Sequence, residues 1–245
     1  MGGQRDVEEA PTISTYGFDQ SLTNFEGIGP KLLPLTLKPN PNGEEPIKGR
    51  IWADAERLGK GFRWMQRSKI TTGFIDEALK FIDSSKANQN PFFINLWPDD
   101  VHGPWWPPLD KWGGDRRALY NGVLDSMDEQ LARLFDRIRN DPALRNNTII
   151  TVCSDNGHEP GAGTSRPFRG AKTWMYEGGI RVPLIIKWPG KGLQGLVSEV
   201  PVTSPDFYPT IIEMIGLEAE NKNQKEGISM VPILKGEKKI EREAI

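Results

Sequence analysis

Two short apolar runs, residues 148–153 (TIITVC) and 182–188 (VPLIIKW), enclose a loop rich in Gly, Pro, Ser and Arg. Runs of this length bounded by turn residues predict buried strands. The first run ends in Ser154-Asp155-Asn156-Gly157, and the loop carries Lys172 before closing in Tyr176-Glu177-Gly178-Gly179-Ile180-Arg181-Val182-Pro183. A carboxylate and an amide oxygen side by side at a strand exit suit a hard divalent cation. A lysine on the following loop suits an anion beside that cation. Asp, Asn and Gly equally favour a plain strand-ending turn, so the metal and turn readings both stand on these residues alone.

The rest of the chain alternates. Phe74, Ile75, Ala78, Leu79 and Ile82 repeat at helical spacing and predict a helix over 73–82. Asn90-Pro91 breaks it, and residues 92–97 read as a buried strand. Over 116–140, Leu119, Val123, Leu124, Met127, Leu131, Leu134, Phe135 and Ile138 share one helical face, and Asn140-Asp141-Pro142 stops the pattern. A last helix is expected over 206–215. Residues 1–50, rich in Gly, Pro and Asn, read as loop. Strands alternating with amphipathic helices predict an α/β fold with a mostly parallel sheet sandwiched by helices. In such a sheet ligands bind beyond the carboxyl ends of the strands. Parallel strands 92–97 and 148–153 would therefore set His102, Asp155 and Asn156 on one edge, with Lys172 above it.

Composition narrows the function class. The chain has 245 residues, a net charge of −2 and 26% charged residues, so it lacks the basic stripe of a nucleic-acid footprint. No apolar run approaches a membrane span, and no signal peptide opens the chain, so neither nucleic acid nor membrane is expected as a partner. A single cysteine excludes an internal disulfide framework.

The segments SDNG, GAK (170–172) and YEGGIRVPLIIKWPG resemble the formylglycine-dependent sulfatases of the alkaline phosphatase superfamily. The likeness extends upstream to Pro91-Phe92-Phe93-Ile94-Asn95-Leu96 and Val101-His102-Gly103-Pro104. It also takes in the helix at 120–134 and the S-x-D-x-x-P-T pattern within 203–216. Order and spacing agree over about three quarters of the chain, which makes the match far more specific than one short motif. The resemblance implies an alkaline-phosphatase-like fold and a sulfuric ester hydrolase acting on aryl or carbohydrate sulfates. It implies Asp155 and Asn156 as ligands of Ca2+, with Mg2+ as the competitor. It implies His102 contacting the sulfate, and Lys172 bridging the sulfate and the leaving-group oxygen.

Family members also carry a cysteine in C-x-P-x-R, converted to formylglycine, together with a metal-binding pair of aspartates and a G-K-W-H segment. None of these falls in the right place here, and residues 1–7 look like the stretch directly after G-K-W-H. The chain is therefore expected to be a partial catalytic domain, inactive alone, with 1–70 loop-rich, 71–216 an α/β core and 217–245 a tail leading toward a C-terminal subdomain. For the full-length family a periplasmic or extracellular home is expected. The alternatives are a non-catalytic binder of cations or sulfated glycans, and a phosphoester hydrolase of the same superfamily.

Two segments mimic the nucleophile. Cys153 lacks the following proline and arginine and reads as a small buried strand residue. Ser165-Arg166-Pro167-Phe168-Arg169 fits S-x-P-x-R but lies after the Asp-Asn pair instead of before it. His158 matches no ligand position and reads as a loop residue. Asp99 and Asp100 are expected to shape the pocket, Asp100 by contacting substrate. Of eight tryptophans, Trp97, Trp105, Trp106 and Trp112 cluster around His102. Trp105 offers a ring face to substrate, or else packs the loop onto the sheet.

Overall fold

Helix α1, Ile70–Ala87, turns Ile70, Ile75, Ala78 and Ile82 inward at intervals of three to five residues. It is the expected helix, extended at both ends. It lies close on strand β1, Lys31–Lys38, because residue 73 is glycine: a Cβ there would meet Leu32 Cδ1 at 2.4 Å and Met65 Sδ at 2.7 Å. These elements belong to a computed structural model that describes residues 11, 13–24, 29–57, 61–218 and 227–241. Residues 1–7, compared above with the segment after G-K-W-H, lie outside the described residues.

The chain divides into two compact units. The first takes in residues 1–140 and 154–183, the second 141–153 and 184–245. In the first unit β1 is the middle of a three-stranded sheet. It pairs antiparallel with β2, Ile47–Arg50, and parallel with β3, Phe62–Gln66, in the register Lys31↔Phe62. Leu32 and Leu33 are fully buried there. The expectation that residues 1–50 are loop is corrected at this point: KLLPLTLK forms the most buried strand of the chain. Its Gly-, Pro- and Asn-rich flanks are the turns that bound it.

Helix α2, Arg116–Asn140, has the expected limits but buries a shifted stripe of Gly122, Val123, Ser126, Gln130, Leu134 and Ile138. Leu124 is left exposed. The reason is polar. Lys69, which precedes α1, provides no side-chain cap. Gln130 supplies one from the neighbouring helix: its Oε1 accepts from the Thr72 N–H at 2.8 Å, and its Nε2 donates to the Ser68 carbonyl at 3.1 Å. Ser126 Oγ donates to the same carbonyl. A buried amide that satisfies the open turn of another helix exchanges desolvation for hydrogen bonds it cannot make elsewhere. Exposed ion pairs Arg133–Asp76 and Arg137–Asp83 flank this contact and add less than about 1 kcal/mol each.

The second unit begins with α3, Pro142–Arg145, capped by Asp141, whose Oδ1 accepts from the Ala143 N–H at 3.0 Å. Strand β4, Ile150–Cys153, then pairs antiparallel with β5, Leu184–Lys187. Thr203 and Asp206 form a capping box before α5, Phe207–Met214. The fully buried Asp206 accepts from the Thr203 N–H at 2.7 Å and the Ile228 N–H at 2.8 Å. Thr210 Oγ1 accepts from the Met230 N–H just before α6, Val231–Leu234. The S-x-D-x-x-P-T pattern is thus a tie between α5 and the strap at 227–230.

Two further expectations are overturned, and a third is met only in part. Residues 92–97 form no strand. Their exposure alternates along the segment, with Trp97 63% exposed, and among the described residues no neighbouring segment supplies ladder bonds. The α/β class holds, but the sheets are small and mixed, with β1–β3 the one parallel pair among the described strands, so the mostly parallel arrangement is not seen. Cys153 is exposed, and so are Thr151 and Val152 before it, so both faces of β4 are open. No helix of the described residues is long and apolar enough to cross a membrane.

Replacing Gln130 with leucine keeps the volume but strands the Thr72 N–H and leaves the Ser68 carbonyl with Ser126 as its one side-chain donor. We expect a loss of about 2 kcal/mol, read as a lower urea midpoint at unchanged slope.

Candidate active site

Residues 154–183 leave β4 and return to β5 as a loop with almost no regular structure, held in shape by glycines. The Gly157 N–H donates to the Gly179 carbonyl at 2.8 Å, Gly178 to Arg169 at 2.7 Å, and Lys172 to His158 at 3.0 Å. The backbones approach so closely that side chains do not fit. A Cβ on Gly157 would stand 2.0 Å from Gly178 O, one on Gly178 2.3 Å from Gly170 O, and one on Gly179 2.1 Å from Trp174 O. Both ends of the loop are thereby locked together through main-chain bonds, with Asn156 and Lys172 beside the lock. The short helix α4, Glu177–Ile180, carries the second and third of these glycines.

Asp155 is exposed and Asn156 half-buried, and Ser154 Oγ bonds the Asn156 carbonyl at 2.8 Å. Neither the Asp155 nor the Asn156 side chain makes a hydrogen bond or ion pair among the described residues. They are two hard oxygen donors left open at the start of the loop, and their chemistry fits part of a calcium or magnesium shell. It does not complete one: among the described residues no three His, Cys, Asp or Glu side chains gather to hold a metal. Lys172 points its ammonium at Glu159, Nζ to Oε2 3.8 Å, with both side chains about a quarter exposed at 27% and 28%. The separation is long for an ion pair, and Glu159 also stands near Tyr120. Burial, and then the Glu159 charge, raise the pKa of that phenol.

His158 is more than a bystander in the loop. Its Nδ1 lies 2.7 Å from Ser165 Oγ, which itself donates to the Gly178 carbonyl at 3.0 Å. The serine proton is committed to a carbonyl, so Nδ1 carries the imidazole proton and Ser165 has no base acting on it. The S-x-P-x-R mimic is therefore a structural link. Sequence reading missed this chain of bonds because its last member is a backbone oxygen.

His102 sits on a second, exposed loop. Its N–H donates to the Asp99 carbonyl at 2.9 Å, and its Nδ1 lies 2.8 Å from the Gly103 carbonyl. A carbonyl only accepts, so the proton is on Nδ1 and Nε2 is left open toward solvent. Two neighbours expected to contact substrate do not face outward. Asp100 is 4% exposed, and Thr71 Oγ1 donates to its Oδ2. Burial raises its carboxyl from 3.8 to about 6, against the pull of the Thr71 bond and the Arg67 charge. Trp105 is buried as well. Its Nε1 donates to the Val101 carbonyl, its ring meets Tyr120 edge-on at 5.6 Å, and Arg116 covers it at 4.8 Å. Both placements have one cause: the loop is anchored by its own apolar and acidic residues, and the His102 side chain is left outside. Trp106 and Trp112 pack on each other, while Trp97 stays exposed.

Trp105 also joins the two loops. It shares an apolar cluster with Val123 of α2 and with Ala162 of the glycine-locked loop, bordered by Val101, Leu119 and Tyr120. The segments bearing His102 and Lys172 are thus packed side by side, although strand register plays no part in bringing them together.

The family model described as Sulfatase matches residues 14–217. N-acetylgalactosamine-6-sulfatase of Sus scrofa is 29% identical over 195 residues, spanning 75% of this chain and 37% of that protein. Arylsulfatase D of Homo sapiens is 30% identical over 181 residues, covering 70% of this chain and 30% of its own length. The PsFucS1 sulfatase from Pseudoalteromonas sp. superposes with a TM-score of 0.59 at 27% identity, over 81% of this chain and 41% of that one. The crystal structure of Ps i-CgsB in complex with k-i-k-neocarrahexaose gives a TM-score of 0.60 at 28% identity, over 66% of this chain and 38% of that one. The chain spans well under two thirds of each relative.

The buried Asp100 makes stability depend on pH. Its folded pKa is raised, so its contribution is fully present below 3.8 and is lost as pH rises through about 6. Asp100→Asn keeps an acceptor for Thr71 without the charge. We expect the variant to lack this slope in chemical denaturation and to be more stable at pH 7 by about 3 kcal/mol.

Proposed function

Because this chain belongs to the sulfatase family, we propose that the protein it forms part of hydrolyses sulfate esters, and that this chain supplies the cation- and anion-facing groups of one side of the site. The observation that carries the reading is the pairing, on one locked loop, of two open oxygen donors with a lysine whose carboxylate partner is distant. Asp155 and Asn156 would hold calcium, with magnesium as the competitor. They contribute two of about six to eight oxygens, the others coming from outside these residues and from the sulfate. Bound there, the cation supplies Lewis acidity toward the sulfate oxygens.

Lys172 exchanges its long contact with Glu159 for the ester's bridging oxygen, where charge grows as the alcohol departs. His102 meets the same group through Nε2. With Nδ1–H held by the Gly103 carbonyl, that nitrogen accepts when the ring is neutral and donates when it is protonated. Neither Cys153 nor Ser165 fits the formylglycine position. The first lacks the flanking proline and arginine, and the second donates to Gly178 O. The nucleophile is assigned to a segment outside this chain. A sulfated carbohydrate is the proposed substrate class, supported by the likeness to the neocarrahexaose-bound structure. The proposed setting is periplasmic or extracellular.

The test uses the product of the whole reading frame that contains this chain, assayed for sulfate release from an aryl sulfate and from sulfated oligosaccharides. Release is expected, falling by about 10²–10³-fold on Lys172→Ala. The 245-residue chain alone is expected to release none. Turnover by that chain, lost on Lys172→Ala, would overturn the placement of the nucleophile. Glycan binding without release by the whole product would replace the hydrolase reading with a binding one.

A further inference from the structure

We propose that Arg67 is the positioning residue for His102. The inference rests on the reading that His102 works through its open Nε2. Arg67 precedes α1 and lies 32 residues before Asp99 in sequence, yet it grips that residue twice. Nη1 donates to Asp99 Oδ1 at 2.8 Å and Nη2 to the Asp99 carbonyl at 2.7 Å. That carbonyl is the one that accepts the His102 N–H at 2.9 Å. One oxygen thus receives both the guanidinium and the amide of His102, and the turn carrying the imidazole is tied to the end of a helix.

The grip is rigid at its other end. Arg67 is 3% exposed and its guanidinium lies 5.3 Å from the Trp52 ring centroid. Its neighbour Ser68 receives Ser126 and Gln130 from α2 through its carbonyl. The tie therefore runs from α2 through Ser68 and Arg67 to Asp99 and His102. Asp99 has no alternative anchor: its other oxygen, Oδ2, is buried without a hydrogen-bond partner among the described residues. A planar fork that meets a side-chain and a main-chain oxygen together fixes orientation, which a lysine ammonium does not reproduce. Asp100, bonded to Thr71 of the same helix, supports the adjoining residue.

The two histidines of the chain make the test internal, since His158 is held separately by Ser165 and the loop glycines. In the ¹⁵N-histidine-labelled 245-residue chain, long-range correlation spectra read the tautomer of each ring and amide exchange reads each turn. With Arg67→Lys, His102 is expected to lose its single Nδ1–H tautomer. Its amide is expected to exchange at least about tenfold faster, with His158 unchanged. The double variant Arg67→Gln/Asp99→Asn removes both charges together, and covers the case in which the single change does not fold. His102 is expected to loosen there too. In the whole reading-frame product, Arg67→Lys is expected to lower kcat about tenfold at unchanged KM. A folded variant with His102 tautomer and exchange as in the wild type overturns the proposal. If the wild-type product releases no sulfate, the functional reading fails, while the spectra still decide the role of Arg67.

Discussion

A carbonyl oxygen 2.0 Å from where a Cβ would stand at Gly157 is the constraint on which the candidate site depends. It permits one polypeptide pass to lie directly on another, and main-chain bonds then fix the spacing of Asn156, His158 and Lys172. A loop without regular structure would ordinarily sample many shapes and lose entropy on binding a charged ligand. Here that ordering is already present in the fold. Any side chain at positions 157, 178 or 179 would push the two passes apart, because its nearest neighbours are backbone atoms that cannot swing away.

The second loop is held by a different device. Trp105, Asp99 and Asp100 turn inward to apolar, cationic and hydroxyl partners, and His102 is what remains outside. The partners of Asp99 and Asp100 lie in the first turn of α1 and the residues just before it. That turn in turn depends on Gln130 and Ser126 of α2. Helix packing and the exposed histidine therefore belong to one mechanical system. The hydrogen bonds along it fix a geometry, since each is made in one partner arrangement and its loss costs free energy in any other.

Both long helices were legible in the sequence, because their apolar spacing reports a face directly. The buried stripe of α2 was not, since Gln130 and Ser126 look like surface residues until Ser68 and Thr72 are found beside them. Strand β1 was obscured by the turn residues around it. Residues 92–97 carried the apolar character of a strand without a neighbour among the described residues to make one. At the site, Asp155, Asn156 and Lys172 stood out through their motif. The inward turn of Asp100 and Trp105 was not legible, because adjacency to His102 says nothing about which way a side chain turns. Arg67 left no sequence signal, its partner being far along the chain.

Asp155, Asn156 and Lys172 are proposed as one cation–anion site on the glycine-locked loop. Calorimetric titration of the chain with Ca2+, with and without a saturating aryl sulfate, tests it most directly. Weak calcium binding is expected, at about millimolar strength for a shell two oxygens deep. The sulfate ester is expected to tighten it, Asp155→Ala to abolish it, and Lys172→Ala to remove the tightening alone. Calcium binding that is indifferent to Asp155→Ala and to the sulfate ester would contradict the proposal.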